Sequence, residues 1–251
     1  MTRQLTILTG ASKGMGHAMA LQLIQPGTTL LCMSRSTSDT LTTAAGKAGA
    51  TLLQWTEDLS DSGPVAARLE DWLQSQAGTP WAGVTLINNA GVIPQIGPLS
   101  GLKSDDLARA LRVGIEAPMQ LTAAFLRATE GWDARLKVLN ISSGLGRKPM
   151  ASQAAYCASK AAMDHFTRCL ALEEAIKPHG ARVCALAPGV IDTDMQVQLR
   201  GADPAQFPDR SNFVKLQEGG QLTSPEEAAR RVLAFLARPD FGAEAVADVR
   251  D

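Results

Sequence analysis

The chain has 251 residues, 45% of them hydrophobic and 20% charged, with a formal net charge of -1. That length buries one substantial core, and one domain spanning 1–251 is expected. The charge balance leaves no basic excess to draw nucleic acid or anionic lipid, so small molecules or further copies of the chain are the expected partners. The start, Met1 to Gln4, runs into only about five apolar-leaning residues before Gly10, too few for a signal peptide, and no stretch approaches transmembrane length; a cytoplasmic location follows as the expectation. Cys32, Cys157, Cys169 and Cys184 show no C-x-x-C spacing and read as reduced core thiols rather than as disulfides or a metal site.

In chain order, short apolar runs at 5–8, 28–33, 51–55, 84–87, 137–141 and 182–187 alternate with amphipathic stretches. Helices are expected near 14–25, 37–48, 61–77, 105–129, 154–178 and 224–237, the last opened by Ser224 as a cap and Pro225 at the first helical position. Such alternation describes an α/β parallel sheet covered on both faces. Between 188 and 223 the pattern becomes irregular, with Gly201, Pro204, Pro208 and Gly219-Gly220. A flap over about 190–222 is expected there, because a helix and a last strand at 243–249 still follow.

The first strand ends in Leu8-Thr9 and turns through Gly10, Ala11, Ser12, Lys13, Gly14, Met15 and Gly16 into a helix. Bare backbone at the glycines lets a pyrophosphate approach the helix N-terminus, although a tight turn that binds nothing has the same glycines. Further along, Tyr156 and Lys160 stand four residues apart, which puts both on one face of a helix. An ammonium there is expected to lower the phenol's pKa, and about 3 units would require about 4 kcal/mol. Tyr156 is the only tyrosine in the chain.

The spacing Thr-Gly-x-x-x-Gly-x-Gly, with Asn88-Asn89-Ala90-Gly91 and Tyr156-x-x-x-Lys160 following in order, resembles the short-chain dehydrogenase/reductase family along essentially the whole chain. The resemblance implies a Rossmann-type doubly wound parallel sheet of about seven strands flanked by helices, with the flap after strand six. It also implies a cofactor site from Gly10, Ser12, Lys13, Gly14, Met15 and Gly16, with Asn89, Ala90 and Gly91 beside it. Asp58 and Leu59 match the segment that meets the adenine, and Pro188, Gly189, Ile191 and Thr193 the loop that holds the carboxamide. Ser143 is implied to hydrogen-bond the substrate oxygen, Tyr156 to transfer the proton, and Lys160 to support the phenol and hold the ribose. At the end of the second strand an acid would repel a 2′-phosphate; this chain has Ser34-Arg35, with Lys13 a second cation, so NADP is the expected cofactor unless both are solvated surface charges.

One position departs from the family pattern. Where many members have asparagine, this chain has Gly114 within Val113-Gly114-Ile115, and Pro118 cannot donate to the carbonyl of Gly114. A kinked helix with a free carbonyl at Gly114, serving a water path to Lys160, is expected; a catalytically impaired NADP-binding scaffold is the alternative.

Within the family, 155–160, 170–174, 187–196 and 221–226 are similar to the sepiapterin reductase and benzil reductase group, implying NADPH-dependent reduction of a vicinal or α-substituted ketone. Pocket walls are expected from 145–153, 93–95 and 190–213, since these follow strand ends. Leu145, Met150, Gln153, Met195 and Leu199 are candidate substrate contacts, with Pro94, Ile96 and Phe213 adding to an apolar site; Met150, Met195 and Phe213 could equally pack under the flap. Asp248 either anchors a pterin or is an exposed strand-end acid. His17, His165 and His179 are expected to be structural or exposed, and a homodimer or homotetramer through the helices near 105–129 and 154–178 is implied.

Overall fold

The computed structural model describes residues 3–250. Its strands are β1 (Arg3–Thr9), β2 (Thr28–Ser34), β3 (Thr51–Thr56), β4 (Trp81–Asn88), β5 (Arg135–Ile141), β6 (Arg182–Ala187) and β7 (Val246–Asp248). They form one sheet in the order β3-β2-β1-β4-β5-β6-β7, parallel throughout. The helices are α1 (Gly14–Leu23), α2 (Asp39–Ala48), α3 (Ser62–Gln74), α4 (Ser104–Leu111), α5 (Ala117–Ala128), α6 (Ala154–Ala175), α7 (Asp194–Gly201), α8 (Arg210–Glu218) and α9 (Pro225–Ala237).

Side chains alternate across a strand, so each strand feeds two cores. Leu5, Ile7, Leu31 and Leu86 pack with Leu69 of α3, Phe125 of α5 and Leu170 of α6. On the other face Leu8, Leu30, Ile87 and Leu139 pack with Met19 of α1, Leu41 of α2 and Val232 of α9. Helices on both faces explain why the strands read as continuous apolar runs rather than alternating ones. The chain winds outward through β2 and β3, then returns to place β4 beside β1. The carboxyl ends of β1 and β4 therefore flank the switch in winding, where open α/β sheets bind ligands.

Three expectations change. The single helix at 105–129 is interrupted by a π turn over Arg112–Glu116, in which Ala117 N–H bonds back to Arg112 C=O. Pro118 follows at the second position of α5 and has no N–H for a regular bond to Gly114, so the helix takes up the mismatch as a wider turn. The irregular segment after β6 contains α7 and α8. Its base is pinned by Thr223 N–H to Val190 C=O at 3.0 Å and Asp192 N–H to Thr223 C=O at 2.9 Å, and Phe207 stacks on Phe213 with centroids 5.6 Å apart. Of the four thiols only Cys32 and Cys184 are core residues, both pushed up to about 12 by burial; Cys157 is half-buried and Cys169 exposed, because the outer face of α6 is uncovered. The cap at Ser224 forms as expected, its hydroxyl accepting from Glu227 N–H. Among the described residues no helix is long and apolar enough to cross a membrane.

Candidate active site

A cavity of about 560 Å³ opens at the carboxyl ends of the central strands. Every site residue expected from the sequence lines it except Gly114. Of the expected walls, Ile93, Leu145, Met150, Met195, Leu199 and Phe213 are present, whereas Pro94, Gln95 and Ile96 are not. Gln95 is turned away by its N–H bond to Asp106, and Ile96 packs with Met150 against Leu199, Phe207 and Phe213. Met150 and Phe213 thus both line the cavity and pack under the flap. Gln196 and Asn212 fall within the expected wall 190–213, and only Leu216 lies beyond it among the flap residues that line the cavity besides those named; the sequence reading did not single out Asn212 or Leu216. The last two are a turn apart on α8, a helix it did not foresee, and an i, i+4 pair was the signal available.

The glycine loop is built by close approach. Gly10 has φ +71°, and a Cβ there would lie 2.9 Å from the Cα of Ala90. A Cβ on Gly16 would stand 2.1 Å from the carbonyl oxygen of Gly10, so only glycine lets α1 begin this close to the turn. The segment after β4 locks the loop: Asn89 Nδ2 donates to the carbonyls of Thr9 (2.9 Å) and Gly10 (3.2 Å), and Thr9 Oγ1 accepts from Asn89 and Ala90 N–H. Beneath it, buried Asn88 donates to Asn140 at 2.8 Å. The cradle at the N-terminus of α1 fits a pyrophosphate. Ser34 Oγ accepts from Ala11 N–H at 2.8 Å, and Arg35 is exposed at the cavity rim. Lys13 is largely exposed, and its Nζ lies 2.5 Å from the equally exposed Asp194 of α7, a surface ion pair between the glycine loop and the flap. Asp58, also exposed, has its carboxyl held below the usual range chiefly by the Ser60 N–H that it accepts.

Ser143 caps the turn after β5, its Oγ accepting from Leu145 N–H at 3.2 Å, and lines the same cavity as Tyr156. Tyr156 and Lys160 are 9% and 5% exposed. The expected lowering of the phenol does not occur. Burial pushes the Tyr156 phenol above its ordinary value, against a downward pull from Ser143. Spacing does bring Lys160 alongside, 5.8 Å from the ring centroid, but its ammonium donates to Ile141 C=O at 2.7 Å and is itself pushed down to about 8 by desolvation, which Asp164 partly opposes. Asp164, 1% exposed, accepts from Ser142 and has Arg147 Nε at 3.7 Å.

Asp248 is 7% exposed and lines the cavity, correcting the reading of an exposed acid; its two oxygens accept from Arg250 at 2.7 and 2.6 Å. Gly114 instead faces α6, where a Cβ would lie 3.0 Å from Cβ of Ser159, next to Lys160. His17 bonds Ser38, and His165 and His179 are exposed, none of them in the cavity.

The family description short chain dehydrogenase matches residues 4–203. The chain is 34% identical over 235 residues to benzil reductase ((S)-benzoin forming) of Bacillus cereus, covering 94% of each, and 32% identical over 245 residues to sepiapterin reductase of Xenopus laevis, covering 92% of this chain and 90% of that one. In structure it resembles the 3-oxoacyl-[acyl-carrier protein] reductase of Brucella melitensis in complex with NAD, with a TM-score of 0.81 at 22% identity, over 99% of this chain and 96% of that one.

Proposed function

The chain belongs to the short-chain dehydrogenase family, nicotinamide-dependent oxidoreductases of alcohol and carbonyl groups, and on that footing we propose that it is an NADPH-dependent carbonyl reductase of a vicinal diketone or sepiapterin-like ketone. The observation that carries this reading is that Ser143, Tyr156 and Lys160 line one cavity with the glycine cradle, the Lys160 ammonium 5.8 Å from the Tyr156 ring centroid.

Gly10, Ser12, Gly14, Met15 and Gly16 would hold the pyrophosphate, Asp58 and Leu59 the adenine side, and Asn89, Ala90 and Gly91 the floor between. Pro188, Gly189, Ile191 and Thr193 would hold the carboxamide, and Lys160 with Tyr156 the ribose beside it. The related NAD complex leaves the cofactor open, so the choice of NADP rests on Arg35 and Ser34 at the end of β2, where no acid repels a 2′-phosphate. Lys13 would join them by exchanging Asp194. Bound there, the reduced nicotinamide supplies hydride. Ser143 donates to the carbonyl oxygen as negative charge gathers on it, and Tyr156 then delivers its phenolic proton. Lys160 recharges the phenol, with the main chain at Gly114 the proposed inlet for protons.

Leu145, Met150, Met195 and Leu199 form an apolar wall suited to the substrate's carbon skeleton. Asp248 would have to release Arg250 before it could anchor a pterin, which weighs toward the diketone. Leu111 of α4, Met119 of α5, Leu172 of α6 and Ile176 just after α6 are exposed, supporting a homodimer or homotetramer through those helices. A cytoplasmic location belongs to the same reading.

The test follows NADPH oxidation against diketones, quinones and sepiapterin, with Tyr156→Phe beside the wild type. Turnover that falls by about 10²–10⁴-fold in the variant while NADPH still binds is expected. Tight NADPH binding with no turnover of any compound would establish the scaffold alternative instead.

A further inference from the structure

Gln153 is the N-cap residue of α6, three residues before Tyr156, and is 2% exposed. Its main chain is committed to the helix, the carbonyl accepting from Cys157 N–H at 2.9 Å. Its side chain is committed to nothing: neither Nε2 nor Oε1 has a hydrogen-bond partner. Leaving one buried polar atom unpaired costs about 1–3 kcal/mol, and an amide leaves two. The same residue lines the cavity, among Leu145, Met150, Leu199 and Phe213, which have no polar side-chain atoms of their own.

The backbone leading to it is strained. Ser152 has φ 63°, the one non-glycine residue with positive φ among those described. Its conformation is held from two sides, by Gly97 N–H to Ser152 C=O at 3.2 Å and by Ser152 Oγ to Gln206 C=O at 2.5 Å. Strain of this kind persists only where the surroundings impose it, and here it fixes where α6 starts and hence where the amide stands.

We propose that Gln153 reads the second oxygen of a substrate with oxygens on adjacent carbons, its Nε2 donating to the neighbouring carbonyl while Ser143 and Tyr156 act on the first. Gln153 at the N-cap and Tyr156 in the first turn of α6 line the same cavity, which places the amide and the phenol around one bound molecule. A simple ketone leaves the amide unpaired, whereas a vicinal diketone satisfies its donor. This assignment rests on the reductase reading and makes Gln153 its specificity residue.

The experiment compares kcat/KM with NADPH for benzil and for deoxybenzoin, the same skeleton with one carbonyl replaced by methylene, in wild type and in Gln153→Met. The ratio between the two substrates cancels any general effect of the substitution on the fold or on the cofactor site. A ratio at least tenfold lower in the variant is expected. Because methionine leaves no orphaned polar atom, the melting temperature should hold or rise, which a structural amide would not permit. Gln153→Glu, which keeps the length and exchanges the donating NH₂ for an acceptor, should lower the ratio as well. A ratio within twofold of wild type in both variants overturns the role of Gln153 while leaving the reductase intact; a wild-type protein that oxidises NADPH with neither ketone, nor with any other diketone, overturns both readings.

Discussion

The buried ammonium of Lys160 makes the pH dependence of stability a direct probe of the site. Its pKa stands at about 8 instead of 10.5 because the folded protein removes the charge from water. Below pH 8 both folded and unfolded chains hold the proton, and the group adds no pH dependence. Between about 8 and 10.5 the unfolded chain keeps a proton that the folded one has released, so stability rises with pH. At 1.36 kcal/mol per pH unit, the gain between pH 7 and pH 10 comes to about 2–3 kcal/mol. Cys32 and Cys184 act in the opposite sense above pH ~9, since their thiols, pushed up to about 12, stay protonated when folded and ionise on unfolding. Lys160→Met carries the same two cysteines, so subtracting its stability from that of wild type isolates the ammonium. The carbonyl of Ile141 loses its partner in the variant, a penalty that does not vary with pH. Urea unfolding of the cofactor-free proteins at intervals from pH 7 to 10 supplies both curves. The difference should climb by about 2–3 kcal/mol, with roughly half of the rise above pH ~9. A difference that stays level across that range would mean that Lys160 is not desolvated as described, and the argument would fail.

Arg35→Asp should cost about 1.5–3 kcal/mol of 2′-phosphate binding, a preference for NADPH over NADH reduced about ten- to a hundredfold in kcat/KM; an unchanged preference would make Arg35 a solvated charge. Gly114→Asn forces a Cβ to within 3.0 Å of Ser159, an overpacked contact worth about 1–3 kcal/mol that lowers the melting temperature. Adding Ser159→Gly should recover most of that loss. A tenfold rise in turnover on Gly114→Asn alone would instead mark the natural glycine as a catalytic defect.

What the sequence made legible was what local pattern encodes. Six strands announced themselves because burial on both faces demands unbroken apolar runs; the glycine and asparagine motifs fell at strand ends and the tyrosine motif in the first turns of α6, all meeting in one cavity. The π turn at Arg112–Glu116 was only half legible: Pro118 signalled a lost bond, but apolar spacing does not say whether a helix answers with a kink or a wider turn. Helices α7 and α8 escaped because Gly201, Pro204 and Pro208 break the pattern between them, and their packing comes from Leu199, Phe207 and Phe213 meeting in space. The pairing of Lys13 with Asp194 spans 181 positions, beyond any local signal.

The sign of the tyrosine shift was illegible for a deeper reason. Spacing fixes which groups are neighbours, whereas a pKa also depends on how far each is removed from water, and that is set by the whole fold. Burial outweighs the downward pull of Ser143 here, so Tyr156 stays a protonated phenol at neutral pH. That state suits a reductase. In the proposed reaction carbonyl reduction would consume a proton from Tyr156, whereas alcohol oxidation would need the phenolate first. Under the proposed function, a protonated phenol with an ammonium 5.8 Å from the ring centroid would be loaded for proton delivery, and Lys160 would restore what Tyr156 gives up.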